Sequence, residues 1–87
     1  HCLDDQGRLV AQFDRQPGGG TAPTTSWRPG QILLDSYPVV LPGSLAPGEY
    51  QIVAGMYSWP SIERLPVTVD GRPAGDSVPL GTVTVLP

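Results

Sequence analysis

Apolar positions in this chain fall in short runs between turn residues, and none of them repeats with a helical spacing. No window places apolar residues at i, i+3, i+4 and i+7, and prolines recur too often for a helix to propagate. What recurs is alternation with a period of two, the pattern of half-buried strands. In residues 9–13 it places Leu9, Ala11 and Phe13 on one face. They follow Asp4-Asp5-Gln6-Gly7, a turn in which Asp suits the early positions and Gly accepts a positive φ. Residues 1–3 then read as the tail of a preceding strand in a hairpin with residues 9–13. Residues 31–41 alternate again, with Leu33, Asp35, Tyr37, Val39 and Leu41 in one phase. Pro38 confines that strand to an edge or marks a bulge.

Residues 50–57 carry the strongest strand signal. Tyr50, Ile52, Ala54 and Met56 point one way, and Gln51, Val53, Gly55 and Tyr57 the other. Apolar atoms on both faces predict a central strand. The approach to it, Leu45-Ala46-Pro47-Gly48-Glu49-Tyr50, resembles the tyrosine corner of immunoglobulin-like and fibronectin-like sandwiches. There a Tyr at a strand's start returns its hydroxyl to the backbone a few residues upstream. Ser58-Trp59-Pro60-Ser61 reads as a turn, and residues 64–69 as a strand with Leu65, Val67 and Val69 inward. The Asp70-Gly71 dipeptide is a hairpin turn signal, residues 71–77 a loop, and residues 78–86 a last strand bulged at Gly81. The expected fold is an all-β antiparallel sandwich of the immunoglobulin or fibronectin type. About five strands and a stub, against roughly seven in a complete sandwich, suggest that its first strands are missing and its N-terminal edge is open.

The chain has 87 residues, enough for one module spanning 1–87. Its eleven glycines and eleven prolines lie between apolar runs and act as punctuation, not as low-complexity repeats. The formal charge is -3, with five arginines and no lysine. Without clustered positive charge to release counterions, nucleic acid is not expected as a partner, nor an anionic membrane surface. No apolar stretch approaches the roughly 20 residues that span a bilayer, and the polar opening lacks a signal-peptide pattern. The single cysteine, Cys2, cannot form an internal disulfide and reads as a small apolar strand residue.

Little in the chain has the spacing that catalysis needs. A Ser/His/Asp arrangement requires a histidine held between nucleophile and acid, and His1 stands alone at the start. His1 and Cys2 would point to opposite faces of a strand. No Cys/His spacing fits a zinc site, and the scattered acids do not define a calcium loop. Gly18-Gly19-Gly20 lacks the lysine and helix of a phosphate cradle. Neither a cofactor nor a metal is expected, and the chain does not read as an enzyme. Asp35 is unusual because it falls in the inward phase of its strand, where a carboxylate must be paired. It is expected to accept bonds from loop amides or the Trp27 indole, ordering loop 14–30, or else to line a site with that loop. Trp27, Trp59 and Tyr57 lie in or beside loops and could stack on sugar rings. Their alternative is to plug the sandwich end.

Taken in order, the motifs resemble a known domain family. They run from His1-Cys2-Leu3-Asp4-Asp5-Gln6-Gly7 through Ala11-Gln12-Phe13-Asp14, Pro23-Thr24, Trp27 with Pro29-Gly30, and Asp35 with Tyr37. They continue with Leu45, Pro47-Gly48 and Tyr50, then Gly55 with Tyr57, Arg64-Leu65, and Leu80-Gly81 with Val83 and Val85. This series resembles the C-terminal extracytoplasmic β-sandwich domain of bacterial multi-pass membrane proteins, many of them similar to lipid-linked-sugar glycosyltransferases of the mannosyltransferase type. Gln31, Cys2 and Ser58 depart from that pattern. The resemblance implies a non-catalytic structural or interaction module outside the membrane, accessory to a larger membrane protein. Its partner would be the rest of that protein, or a second copy through the open strand edge. The alternative from the residues themselves is a carbohydrate-binding module using Trp59, Trp27, Tyr57 and Asp35.

Overall fold

Asp4 starts the fold by closing the first hairpin. In the computed structural model, which describes residues 1–87, its carboxylate accepts from the backbone amides of Gln6 at 3.0 Å and Arg8 at 2.8 Å. The Arg8 side chain adds a bond at 2.8 Å. The Arg8 amide, ahead of the other donors, holds the Asp4 carboxyl below the ordinary carboxylate value. The turn joins β1 (Cys2–Leu3) to β2 (Leu9–Ala11) in antiparallel pairing, as the Asp-Gly pattern predicts. β1 also pairs antiparallel with β3 (Gly48–Ala54), and β3 with β6 (Val78–Val85). The four-stranded sheet has the order β2-β1-β3-β6, so the strand expected to be central is central.

Register assigns a chemical character to each face. Cys2 lies opposite Ile52, Tyr50 opposite Val83 and Gly48 opposite Val85, giving an apolar face. Glu49, Gln51, Thr82 and Thr84 occupy the other, where Val53 is the apolar exception. Cys2, Tyr50 and Val53 are the three buried residues, at 0%, 7% and 9% exposure. The Tyr50 hydroxyl donates to the Ala46 carbonyl at 2.6 Å, closing the corner into β3. β6 is bulged as Gly81 suggested: Ile52 faces Gly81 and Val53 faces Pro79, leaving Leu80 as the extra residue.

A second, two-stranded sheet pairs β4 (Thr68–Val69) with β5 (Arg72–Pro73). Asp70 and Gly71 between them both take positive φ, 52° and 75°. That is the geometry of a mirror-image hairpin turn, whose twist matches the strands it joins. A further bridge, Tyr57 to Arg64, spans the turn containing Trp59 and the cis Trp59–Pro60 bond. Loop 14–30 holds two 3-10 turns, Pro17–Gly20 and Thr24–Ser26. The chain is thus all-β, with two antiparallel sheets and no α-helix.

Four sequence expectations are corrected. Residues 31–41 join no strand, and no backbone-to-backbone hydrogen bond involves residues 32–41. Pro38 and Pro42 remove donors from the stretch, which weakens any ladder it could join. The phase holds in part: Asp35, Val39 and Leu41 are half-buried, but Leu33 and Tyr37, also expected inward, are 39% and 43% exposed, against 94%, 98% and 83% for Ile32, Leu34 and Val40. Residues 64–69 shrink to the bridge at Arg64 plus β4, and Leu65 and Val69 are exposed, not inward. The expected loop 71–77 contains β5. Finally, the N-terminal stub is not an open edge. β1 lies between β2 and β3, and the sheet's edges are β2 and β6.

The surface is large for the mass. A closed monomer of this size exposes about 4,900 Å², whereas this one exposes 6912 Å². The radius of gyration is 14.7 Å, against about 12 Å for a compact domain of the same length.

Candidate functional site

Asp35 tethers loop 14–30 to the unpaired segment 31–41. Its Oδ2 accepts the Gly18 amide at 2.6 Å, and its Oδ1 accepts from the Arg15 guanidinium and, at 2.9 Å, the Ser36 amide. Gly18 can aim its N–H there because it takes φ 65°, a conformation open to glycine at little cost. The Gly18 amide, then the Tyr37 hydroxyl, and after them the charge of Arg15 hold the Asp35 carboxyl below the ordinary carboxylate value. Partial burial, and then the Asp35 carboxylate, push the Tyr37 phenol up.

Arg15 is the hub of the cluster. Besides Asp35 it donates to the Ser36 carbonyl at 2.6 Å, and its guanidinium carbon lies 4.8 Å from the Tyr37 ring centre and 5.6 Å from that of Phe13. Phe13 and Tyr37 meet edge to face at 6.0 Å. A planar cation between two rings and a carboxylate is a strong local clamp. Asp14, next in sequence, faces the other way. It lies 3.2 Å from His1 Nε2, and the hydrogen bond it takes from Tyr57 raises that phenol above its ordinary value.

Trp27 stands beside this clamp. Its indole N–H donates to the Ala22 carbonyl at 2.9 Å, so of the two donors expected for Asp35, a loop amide or this indole, it is the loop amide that binds. Trp27 walls an open cleft of about 200 Å³ with Ala22, Leu33, Asp35, Tyr37 and Met56. A second hollow of about 250 Å³ lies against Trp27, Arg28, Gln31 and Leu33. Both fall below the roughly 300 Å³ at which small-molecule pockets begin.

The candidate ligand residues therefore separate. Trp27 and Asp35 share a cleft, while Tyr57 is engaged with Asp14 and lines neither hollow. Trp59 is 75% exposed in its turn and plugs nothing. The Asp35 oxygens are mostly committed to loop donors, which leaves little acceptor capacity for a ligand. Sequence reasoning expected a loop amide on Asp35, which Gly18 supplies, and missed Arg15 as its cation. The available signal was charge: Asp35 needed a cation, and loop 14–30 offers two arginines, Arg15 and Arg28. No three His, Cys, Asp or Glu side chains converge to hold a metal ion. No helix is long and apolar enough to cross a membrane.

No protein-family model, curated protein or solved structure matches the chain.

Proposed function

We propose that this chain is a non-catalytic structural or interaction module, immunoglobulin-like in its sandwich plan, that stands outside the membrane as part of a larger membrane protein. The observation that carries the reading is the open surface, about 2,000 Å² beyond that of a closed monomer of this mass. It includes Ile32, Leu34 and Val40, nearly fully exposed on a segment whose backbone pairs with nothing. Large contiguous apolar surface on a soluble domain marks a place where another polypeptide sits. The Tyr50 to Ala46 bond is what a tyrosine corner requires, in support of the sandwich plan. The extracytoplasmic location and the membrane-protein context rest on the motif series from His1 to Val85.

A second reading, a carbohydrate-binding module, is favoured by one observation, the 75% exposure of Trp59. One amide NMR experiment separates the two. The interaction module should bind anilinonaphthalene sulfonate, with shifts gathered in residues 31–41, and should leave both indole signals still under a panel of simple sugars. Saturable movement of the Trp59 or Trp27 indole with a sugar would replace it by the carbohydrate reading. Absence of dye binding would remove the support for an open apolar surface.

A further inference from the structure

The edge formed by β6 is built to accept a copy of itself. Val53 exchanges both backbone bonds with His1, so residues 49, 51 and 53 of β3 address β1 and its even-numbered residues address β6. Tyr50 lies opposite Val83 and Ile52 opposite Gly81. The alternation then leaves the N–H and C=O of Thr82 and Thr84 directed off the sheet, with no strand beyond them. From Ser77 to the end of the chain there is no charged residue, and the edge's other guards, Pro79 and the bulge at Leu80 and Gly81, lie before the stretch from Thr82 to Val85 and leave it open. Leu80 and Leu86, at 65% and 78% exposure, flank the free stretch. β2, the opposite edge, has three residues and is bordered by Arg8, a short and guarded edge.

We infer that two copies of this chain pair antiparallel through β6, joining their sheets into one of eight strands about a two-fold axis near Val83. The inference rests on the reading of the chain as an interaction module and names its partner. Antiparallel self-pairing centred on Val83 puts Thr82 opposite the partner's Thr84, both with outward backbone groups, and Val83 opposite the partner's Val83. Thr–Thr and β-branched pairs are favourable across strands, and with no charge in β6 none meets its like. The two-fold axis stands perpendicular to the sheet, so the apolar faces of the two copies become continuous.

The register makes the test specific. In sedimentation equilibrium from micromolar to millimolar concentration the chain should dimerise. Thr82→Lys with Thr84→Lys sets lysine against lysine and should weaken the dimer at least about tenfold, a tenfold change corresponding to about 1.4 kcal/mol. Thr82→Lys with Thr84→Glu sets lysine against glutamate and should restore it. If the double-lysine variant loses its dispersed amide spectrum, Thr84→Pro takes its place, since it deletes an outward N–H and leaves the β3 ladder intact. A monomer at every concentration, a dimer indifferent to the double lysine and to Thr84→Pro, or no recovery in the Lys/Glu variant would each overturn the inference. A monomer that still binds anilinonaphthalene sulfonate would overturn this pairing alone. One that binds no dye would overturn the interaction-module reading with it.

Discussion

Replacing Tyr50 by Phe removes one oxygen atom and tests the most specific contact in the fold. The hydroxyl lies 2.6 Å from the Ala46 carbonyl, and Tyr50 as a whole is 7% exposed. Phe keeps the ring on the apolar face, opposite Val83, and leaves the Ala46 carbonyl without its partner. Ala46 is itself exposed, so water can reach that carbonyl and the loss stays near the net worth of a hydrogen bond, about 1 kcal/mol. For a domain of this length that lowers the midpoint of thermal unfolding by about 4–8 °C. Tyr50→Ala also removes the ring, costing about 3–5 kcal/mol. A chain of this length at the low end of the usual stability range has about 4 kcal/mol in all, so the alanine variant should be unfolded or nearly so at room temperature. Urea and thermal melts followed by circular dichroism read both. A Phe variant melting within a degree of the parent would show that the corner bond does not hold the chain's entry into β3.

Two further substitutions probe the connections between elements. A Cβ on Gly55 would sit 2.7 Å from the Asp76 carbonyl oxygen, a backbone atom that cannot swing aside. Gly55→Ala should therefore destabilise by about 1–3 kcal/mol, while Gly43→Ala, with open space around it, should be neutral or slightly stabilising in the same melts. Asp35→Asn should release loop 14–30, seen as faster amide exchange at Gly18 and Ser36 with β3 and β6 unaffected. Asp4 and Asp35 both have folded pKa values below the ordinary carboxylate value, so their contribution is complete above it and lost as pH falls through the folded values. An acid titration should show stability flat near neutrality and declining below about pH 4, with a shallower decline in Asp35→Asn. An unchanged profile in that variant would refute the tether.

Local signals in the sequence were legible because their physics is local. Asp4 with Gly7 closes the first turn, Asp70 with Gly71 the second, and Gly81 the bulge, each within a few residues and without help from the rest of the fold. The tyrosine corner belongs to the same class, since Tyr50 reaches back only to Ala46. Pairing is a different matter. Residues 31–41 follow the alternation at Asp35, Val39 and Leu41 and not at Leu33 and Tyr37, which are exposed, and alternation does not state whether a neighbouring strand exists to bond the backbone. The same limit explains residues 64–69, where Leu65 and Val69 have strand character and an exposed environment. The Asp35 site was half legible: a carboxylate in the inward phase had to find donors, but Gly18 and Arg15 reach it through the course of a glycine-rich loop, which no periodicity encodes.

The exposed residues then carry more information than the buried ones. A scatter of exposed leucines is ordinary in a small domain; Ile32, Leu34 and Val40, nearly fully exposed within nine residues of unpaired backbone, are a greater departure. On the proposed interaction-module reading, a neighbour would bond the backbone groups of residues 32–41 and cover these side chains. The same reasoning applies to β6, where Thr82 and Thr84 alternate with Val83 and Val85 along an edge without a charge. Two strand-like stretches with unused hydrogen-bonding capacity, on a chain that buries three residues by itself, support the proposed reading of a module whose core is completed by contact with other polypeptide.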